Sequence, residues 1–494
     1  MNPHLATLVY FVGIAGLFWL DRDRGARITQ ALWIPTLWLL INGSRPVSEW
    51  IHPGSDVALK LVNRNGNPLD ATIFGILILA GILVLFRRWT AIRPLIGKNL
   101  PILLYFSYCA VSILWSDYSL IATKRWIKSI GDLVMVAIVL TEPDPLTSIR
   151  KWLSRAAFLL LPLSILLIKY YPSLGRSYNA WTWLPEYDGV ATFKNLLGMT
   201  CLVCGLGSLW SFYGAFRDKD MPSRWRHVAA HGVVLVTLGW LLHIANSMTS
   251  LSCFVLAGTL IVFTNQRPAF TRVRVANLLM WGGISLALFG LFVDPRTMLS
   301  IIHRNPTLTG RTEIWQVVLS MHTNPLGGTG FESFWIGPRM QRVWDLTGMH
   351  INEAHNGYIE VYLNLGWVGI ALLGAIIVTG YRNALVTLRR NPNAGRIRLA
   401  FLTAALIYSF TEAGFRMLSP VWIMFLLAVT VVPLRHKQAV IRQFPRRETT
   451  APEMRLAAER ILVAHSSRTS PRYQAGSISS AMNPPAPISW SSWR

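Results

Sequence analysis

His355 and Asn356 stand together in Ala354-His-Asn-Gly-Tyr-Ile-Glu360, with Glu353 just before them. An imidazole titrates near neutrality and can take or give a proton. Arg311 opens a stretch expected to form an amphipathic helix over Thr312–Met321. A cation there is mildly opposed by the helix dipole, so it has little structural reason to be present. Glu412 and Arg416 lie four apart, a spacing that puts both on one face of a helix. Either they pair with each other or they serve a ligand. Lys194, in Gly189-Val-Ala-Thr-Phe-Lys-Asn-Leu-Leu-Gly198, and Arg125, beside Lys124 and Lys128, carry charge where apolar segments begin. They read as snorkelling side chains or as ligand contacts, because charge at membrane depth is retained mainly where it is used.

Metal chemistry finds little support in these residues. His350, Glu353 and His355 lack the His-Glu-x-x-His zinc spacing, and no aspartate-rich cluster offers a magnesium site. No metal and no cofactor is therefore expected. The Gly327-Gly328-Thr-Gly330 run lacks the Gly-Lys-Ser/Thr ending of a phosphate loop and reads as a tight turn. What remains is a cation-rich site suited to an anion with a lipid tail, such as a polyprenyl diphosphate-linked sugar. Cations can stabilise a departing diphosphate, while a base accepts the proton of an acceptor hydroxyl. Trp181, Trp183, Tyr187, Trp335 and Trp344 offer rings for sugar stacking or for an interfacial aromatic belt.

These residues must be held by membrane helices. Of the 494 residues, 52% are hydrophobic and only 14% charged, against about a quarter charged in soluble domains. Apolar runs of roughly 15 to 22 residues match the thickness of a bilayer core. Such runs occur at 5–20, 28–41, 69–86, 100–115, 127–140, 153–168, 191–213, 228–245, 251–264, 275–293, 357–381, 399–415 and 417–434. The expected fold is all-α and polytopic, with about 12–13 transmembrane helices. Residues 1–293 and 357–434 form the helical parts, and 294–356 a large polar loop between them. Residues 435–494, rich in Pro, Ser and Arg, are expected to be a basic disordered tail.

Most of the 47 Lys and Arg residues fall in alternate connections and in the tail. That side is expected to be cytoplasmic, with the polar loop on the periplasmic or outer face. The net charge of +24 thus reflects topology and contact with lipid headgroups, and no nucleic-acid partner is expected. Leu5–Leu20 lacks the basic start of a cleavable signal. Cys109, Cys201, Cys204 and Cys253 all lie in apolar spans, so no disulfide framework is implied. No internal repeat is evident, which weighs against a transporter.

Taken together, Gly-Arg-Thr-x-x-Trp, Asn-Pro-Leu-Gly-Gly-Thr-Gly and His-Asn-Gly-Tyr-x-Glu with its Leu-Gly-Trp-Val-Gly helix resemble the O-antigen ligase/polymerase superfamily. Trp115-Ser-Asp, Lys124-Arg-Trp126, Pro172-Ser-Leu-Gly-Arg176 and Phe193-Lys-Asn-Leu-Leu-Gly198 are similar to its exopolysaccharide-polymerising branch. The resemblance implies a glycosyltransferase C-like membrane fold in a bacterial inner membrane. It also implies metal-independent, inverting transfer of a glycan from an undecaprenyl-diphosphate-linked donor to a glycan acceptor on the periplasmic face. Arg311 and Lys194 would contact the diphosphate, and His355 would assist the acceptor or the leaving group. Lys194 stands where ligases often have arginine, keeping charge but losing bidentate geometry. His355, Glu353 and Glu412 compete as general base. Arg125, Asn356, Arg416 and Trp335 complete the expected binding set. Polymerisation of exopolysaccharide repeat units is the leading role, with a chain-length regulator and a flippase as further partners. O-antigen ligation to a lipid A-core, a lipid-linked oligosaccharide flippase or transporter, and a non-catalytic assembly partner are the alternatives.

Overall fold

The computed structural model describes residues 2–23, 25–53, 66–178, 183–221, 223–264, 268–292 and 311–432. These belong to one of the two units into which the chain divides, Met1–Pro433; the other is Leu434–Arg494. The expected tail at 435–494, the start of the polar loop at 294–310 and Trp181 lie outside the described residues.

The described helices begin with α1 (Pro3–Leu20), α2 (Trp33–Asn42), α3 (Pro68–Arg87), α4 (Trp89–Lys98) and α5 (Leu100–Val111). Next come α6 (Ser119–Leu140), α7 (Pro145–Tyr170), α8 (Lys194–Arg217), α9 (Arg224–Ala245), α10 (Met248–Phe263) and α11 (Ala269–Phe292). The polar loop supplies α12 (Arg311–Ser320) and α13 (Pro338–Thr347), and α14 (Gly357–Arg390), α15 (Pro392–Tyr408) and α16 (Pro420–Val429) follow. The described strands are β1 (Arg176–Tyr178) and β2 (Pro185–Tyr187), paired antiparallel with Ser177 opposite Glu186.

Local sequence explains many of the helix starts. Proline opens α1, α3, α7, α13, α15 and α16, where its missing N–H costs nothing and its fixed φ suits the first turn. Asn2, Asn67, Asp144, Asn356 and Asn391 each accept a backbone N–H at the start of the helix they precede, an interaction typically worth about 1 kcal/mol.

Each of the thirteen expected spans overlaps a helix, although 409–415 and 417–419 of the last two fall in an irregular connection, and the fold is all-α and polytopic. By length and apolar composition, six helices can cross a bilayer: α1, α3, α7, α8, α9 and α14. A seventh span arises if α4 and the segment Leu100–Trp115, bent at 86°, count as one. Others depart from the simple pattern for visible reasons. The α6 helix carries Lys124, Arg125, Lys128 and Asp132, and α10 and α16 are short apolar helices. Leu8, Phe11 and Val12 on α1 and Ile76, Leu79 and Phe86 on α3 face outward, as side chains against lipid would. Cys109, Cys201, Cys204 and Cys253 are buried and free.

The described part of the polar loop has a core of its own. Ile314, Trp315, Val318, Phe334, Val343, Ala354 and Leu363 pack together with Trp335. Its glycine-rich turn grips a kink in α14, where Gly366 has φ 63°. A Cβ on Gly366 would fall 2.2 Å from the Leu326 carbonyl oxygen, and one on Gly328 2.4 Å from the Asn364 carbonyl carbon. Backbone bonds from Thr329 N to Leu363 O (3.0 Å) and from Trp367 N to Pro325 O (2.9 Å) close the contact. The glycines permit two backbones to touch, as the tight-turn reading of the sequence requires.

Candidate active site

Three stretches far apart in sequence meet beside the polar loop. They are the first residue of α12, the segment 353–356 before α14, and the irregular connection 409–419 between α15 and α16. The second and third are stitched by the Gly357 amide, which donates to Ser409 O (2.8 Å) and Glu412 O (3.0 Å). The Asn356 side chain adds a bond to Phe410 O (3.1 Å) while capping α14 through the Tyr358 and Ile359 amides. Gly357 is needed here because a Cβ would lie 2.9 Å from that of Ser409.

This stitching places His355 between two carboxylates. Its Nδ1 lies 2.9 Å from Glu353 Oε1 and 3.3 Å from Glu412 Oε2. Arg311 Nη2 meets Glu412 Oε1 at 2.6 Å, and Nη1 donates to the Thr411 carbonyl. Asn195, on the first turn of α8, donates to the same Glu412 oxygen at 3.2 Å. Arg416 faces Glu353 Oε2 (3.5 Å) and Glu332 Oε2 (3.4 Å), and Arg125 donates to the Glu332 carbonyl. His355, Glu353, Glu412 and Arg311 thus form one cluster, and Arg416, Glu332 and Arg125 extend it.

Burial alone would push His355 toward neutrality, but its bonds to Glu353 and Glu412 and their charges outweigh that and lift its pKa to about 10. Burial would likewise raise Glu353, yet the bond to His355 and the charges of His355, Arg416 and Arg311 hold it at about 2. Burial opposes the charge on Arg416, while Glu332, Glu360 and Glu353 raise its pKa overall. At neutral pH His355 is therefore an imidazolium held against the Glu353 carboxylate. With Nδ1 committed to the glutamates, Nε2 has no hydrogen bond among the described residues and is the atom free to meet a ligand.

The backbone is also unusual at this point. His355 (φ 48°) and Glu332 (φ 50°) are two of the five described non-glycine residues with positive φ. Such conformations persist where the surroundings over-determine them, and they gather at functional sites. Around Glu332, Asn364 Oδ1 accepts from Ser333 N (2.8 Å) and Phe334 N (3.1 Å), and Ser116 Oγ meets Ser333 Oγ at 2.6 Å. The Trp115-Ser-Asp motif earns its place here: Trp115 Nε1 donates to Gly327 O (3.2 Å), and Asp117 pairs with Arg339.

Several expectations from the sequence need correction. Glu412 and Arg416 do not share a helical face, because α15 ends at Tyr408 and turns follow; each pairs elsewhere. Trp335 is 5% exposed and donates to both Glu360 oxygens (2.9 and 3.0 Å), so it is packed inside the loop's core and offers no face for sugar. Asn356 is 5% exposed with both ends of its amide committed to backbone, so it positions His355 instead of meeting substrate. Lys194 pairs with Glu186 of β2 at 2.7 Å and reaches the cluster only through its neighbour Asn195. Trp344 donates to Ile351 O, Tyr187 lies under Arg176, and Trp183 is exposed. Glu332 and Asn195 did not stand out from the sequence, although Asn195 sits inside the Phe193–Gly198 motif and Glu332 lies two residues beyond the glycine-rich turn.

Glu353, His355 and Glu412 present donor atoms within 4.8 Å of one another and are of a type that can hold a metal ion. The carboxylates of Glu353 and Glu412 also face His355 Nδ1 and the Arg416 and Arg311 guanidinium groups.

Residues 232–374 match the O-Antigen ligase family. The chain is also 24% identical over 371 residues to the exopolysaccharide production protein ExoQ of Rhizobium meliloti (strain 1021), covering 71% of this chain and 81% of that protein. Both matches support a place for the chain in the O-antigen ligase/polymerase superfamily, which it resembles. Within it, the likeness to ExoQ puts the chain on the exopolysaccharide side. Members are glycosyltransferase-like ligases and polymerases of the membrane, and a role in glycan polymerisation or ligation follows. The O-antigen ligase match takes in Arg311, Glu332, Glu353 and His355; Glu412, Arg416 and Asn195 lie beyond it.

Proposed function

We propose that the protein is a bacterial inner-membrane glycosyltransferase that polymerises exopolysaccharide repeat units. It would transfer the growing glycan from an undecaprenyl-diphosphate-linked donor to a glycan acceptor on the periplasmic face. The observation that carries this reading is the convergence of Arg311, Arg416 and the His355 imidazolium on Glu353 and Glu412 beside the polar loop. In this reading 1–293 and 357–434 hold the helices, 294–356 is the periplasmic loop over the site, and 435–494 is a cytoplasmic tail.

The acceptor hydroxyl oxygen attacks the anomeric carbon of the donor sugar. The bond from that carbon to the diphosphate oxygen breaks, and the electron pair leaves with the diphosphate. Arg311, Arg416 and His355 Nε2–H neutralise the charge that develops there, the role a metal plays in other transferases. A diphosphate competes with the glutamates for these cations. As it binds, Glu412 loses its grip on Arg311 and becomes free to accept the hydroxyl proton. A single displacement of this kind inverts the anomeric centre and needs no metal. Arg125 holds the Glu332 turn, and Lys194 guides the anion toward the cluster.

The family description keeps O-antigen ligation as the second reading, with a different acceptor at the same site. The test is reconstitution of the full chain in liposomes with lipid-linked repeat units confined to one leaflet. Lengthening of the glycan with release of undecaprenyl diphosphate supports polymerisation. Transfer only to a supplied lipid A-core supports ligation. Passage of sugar across the bilayer without chain growth makes the protein a flippase and ends the enzyme reading.

A further inference from the structure

A polar cavity lies at the far end of α8, the helix whose first turn brings Asn195 to the candidate site. It has a volume of ≈ 370 Å³ and is lined by the first turns of α7, α9 and α15 and the last turns of α8. Asn195 and Gly214 mark the two ends of α8, 19 residues or about 28 Å apart at the rise of an α-helix. The cavity is thus distinct from the His355 cluster.

Its charges are unevenly matched. Asp21 is satisfied by Lys151 Nζ (2.8 Å) and His227 Nδ1 (2.8 Å). Asp23 and Asp218 also line the cavity but are exposed, and each accepts a backbone amide nearby. Three arginines have no carboxylate within 4.0 Å among the described residues. Arg396 is 5% exposed and donates only to Pro392 O (3.1 Å) and Asn393 Oδ1 (3.2 Å). Arg150 lies over the Trp210 ring at 4.8 Å, its Nε buried with no acceptor. Arg217 reaches only Tyr213 Oη, at 3.4 Å.

Neutral groups on the same wall are also unsatisfied. Ser211 Oγ, His227 Nε2 and His231 Nδ1 are buried with no hydrogen-bond partner, on residues 8%, 6% and 2% exposed. A buried polar atom without a partner costs about 1–3 kcal/mol, so several around one cavity point to a molecule that completes them. Guanidinium groups with no carboxylate within 4.0 Å can bind a phosphate bidentately. The volume falls in the range of small-molecule sites, roughly 300–1,000 Å³, and exceeds what one inorganic phosphate fills.

We propose that this cavity binds a phosphate-bearing anion of glycerophosphate size, with Arg150, Arg396 and, at the exposed rim, Arg217 on the phosphate and Ser211 and the histidines on its neutral part. The ligand is either the headgroup of an anionic phospholipid or a free phosphorylated metabolite. Such a ligand ties together the ends of α7, α8 and α15, two of which also reach the candidate active site.

The test uses the full chain in phosphatidylcholine nanodiscs and two probes. One is spin-labelled phosphatidylglycerol in the disc, read as the immobilised fraction; the other is sn-glycerol 3-phosphate in solution, read by calorimetry. Binding in the first arm identifies a lipid source and in the second a soluble one. In whichever arm the wild type binds, Arg150→Gln with Arg396→Gln is expected to weaken binding about tenfold or more. Arg217→Gln, at an exposed position that leaves folding intact, is expected to weaken it several-fold. Binding by neither probe, or equal binding by wild type and Arg217→Gln, overturns the proposal even if the double variant does not assemble.

Discussion

Arg311 Nη2 and Glu412 Oε1 lie 2.6 Å apart although 101 residues separate them in the chain. The pair ties the polar loop to the connection between α15 and α16, with side chains 16% and 6% exposed. An ion pair so deeply placed is weak ground for stability, since the cost of removing both charges from water rivals their attraction. It does store a cation where a competing anion can claim it.

Arg311→Ala is expected to lower polymer formation in reconstituted membranes by about 10²–10³-fold, the scale of losing one donor to a developing anion. Arg311→Lys keeps charge but loses the planar fork and should recover part of the rate. Radiolabelled repeat units and gel separation of the products measure both.

The pH dependence follows from His355 and Glu353. The folded pKa of His355 is raised to about 10. Its contribution to stability is fully present below its unfolded value near 6.5 and is lost as pH rises through about 10. Glu353 is held at about 2, so its contribution is present above about 4.3 and is lost as pH falls toward 2. Activity should therefore persist across neutrality and fall on the alkaline side. His355→Gln should remove the alkaline limb of the melting-temperature profile of the purified protein.

Trp335→Phe tests whether this ring serves packing or sugar binding. Losing the indole N–H leaves the buried Glu360 carboxylate short of a donor, at a cost of about 1–3 kcal/mol. The melting temperature should fall while the KM for lipid-linked donor stays unchanged. A raised KM without loss of stability would restore the stacking role that the burial of Trp335 argues against.

Gly366→Ala should be among the most damaging small substitutions. The residue sits at φ 63°, and its Cβ would collide with the Leu326 carbonyl. Strain of about 1–3 kcal/mol from the backbone alone would come with a displaced glycine turn and a misplaced Glu332. Thermal melting and limited proteolysis of the polar loop read out both effects.

What the sequence made legible follows from the range of each interaction. Helical spans come from local apolar length, and each of the thirteen expected runs overlaps a helix. Arg311, Glu353 and His355 drew attention because charge and imidazole are out of place near apolar segments, and the fold brings them together with Glu412. Pairing partners were harder to see. Glu412 and Arg416 suggested a helix until the turns after Tyr408 separated them, and spacing alone cannot show where a helix stops. Trp335 suggested a binding face because the loop's private core, built from α12, α13 and Leu363, is a tertiary property. Asn195 and Glu332 gain meaning only from what the chain folds against them.

The most direct measurement is calorimetric titration of the detergent-solubilised full chain with farnesyl diphosphate, a soluble prenyl diphosphate, alongside turnover of lipid-linked repeat units. If a diphosphate displaces glutamate from the cluster cations, Arg311→Gln weakens binding about tenfold or more. Glu412→Gln, which removes the competing charge, tightens binding yet abolishes turnover. Unchanged binding in both variants, or full turnover by Glu412→Gln, would contradict the account.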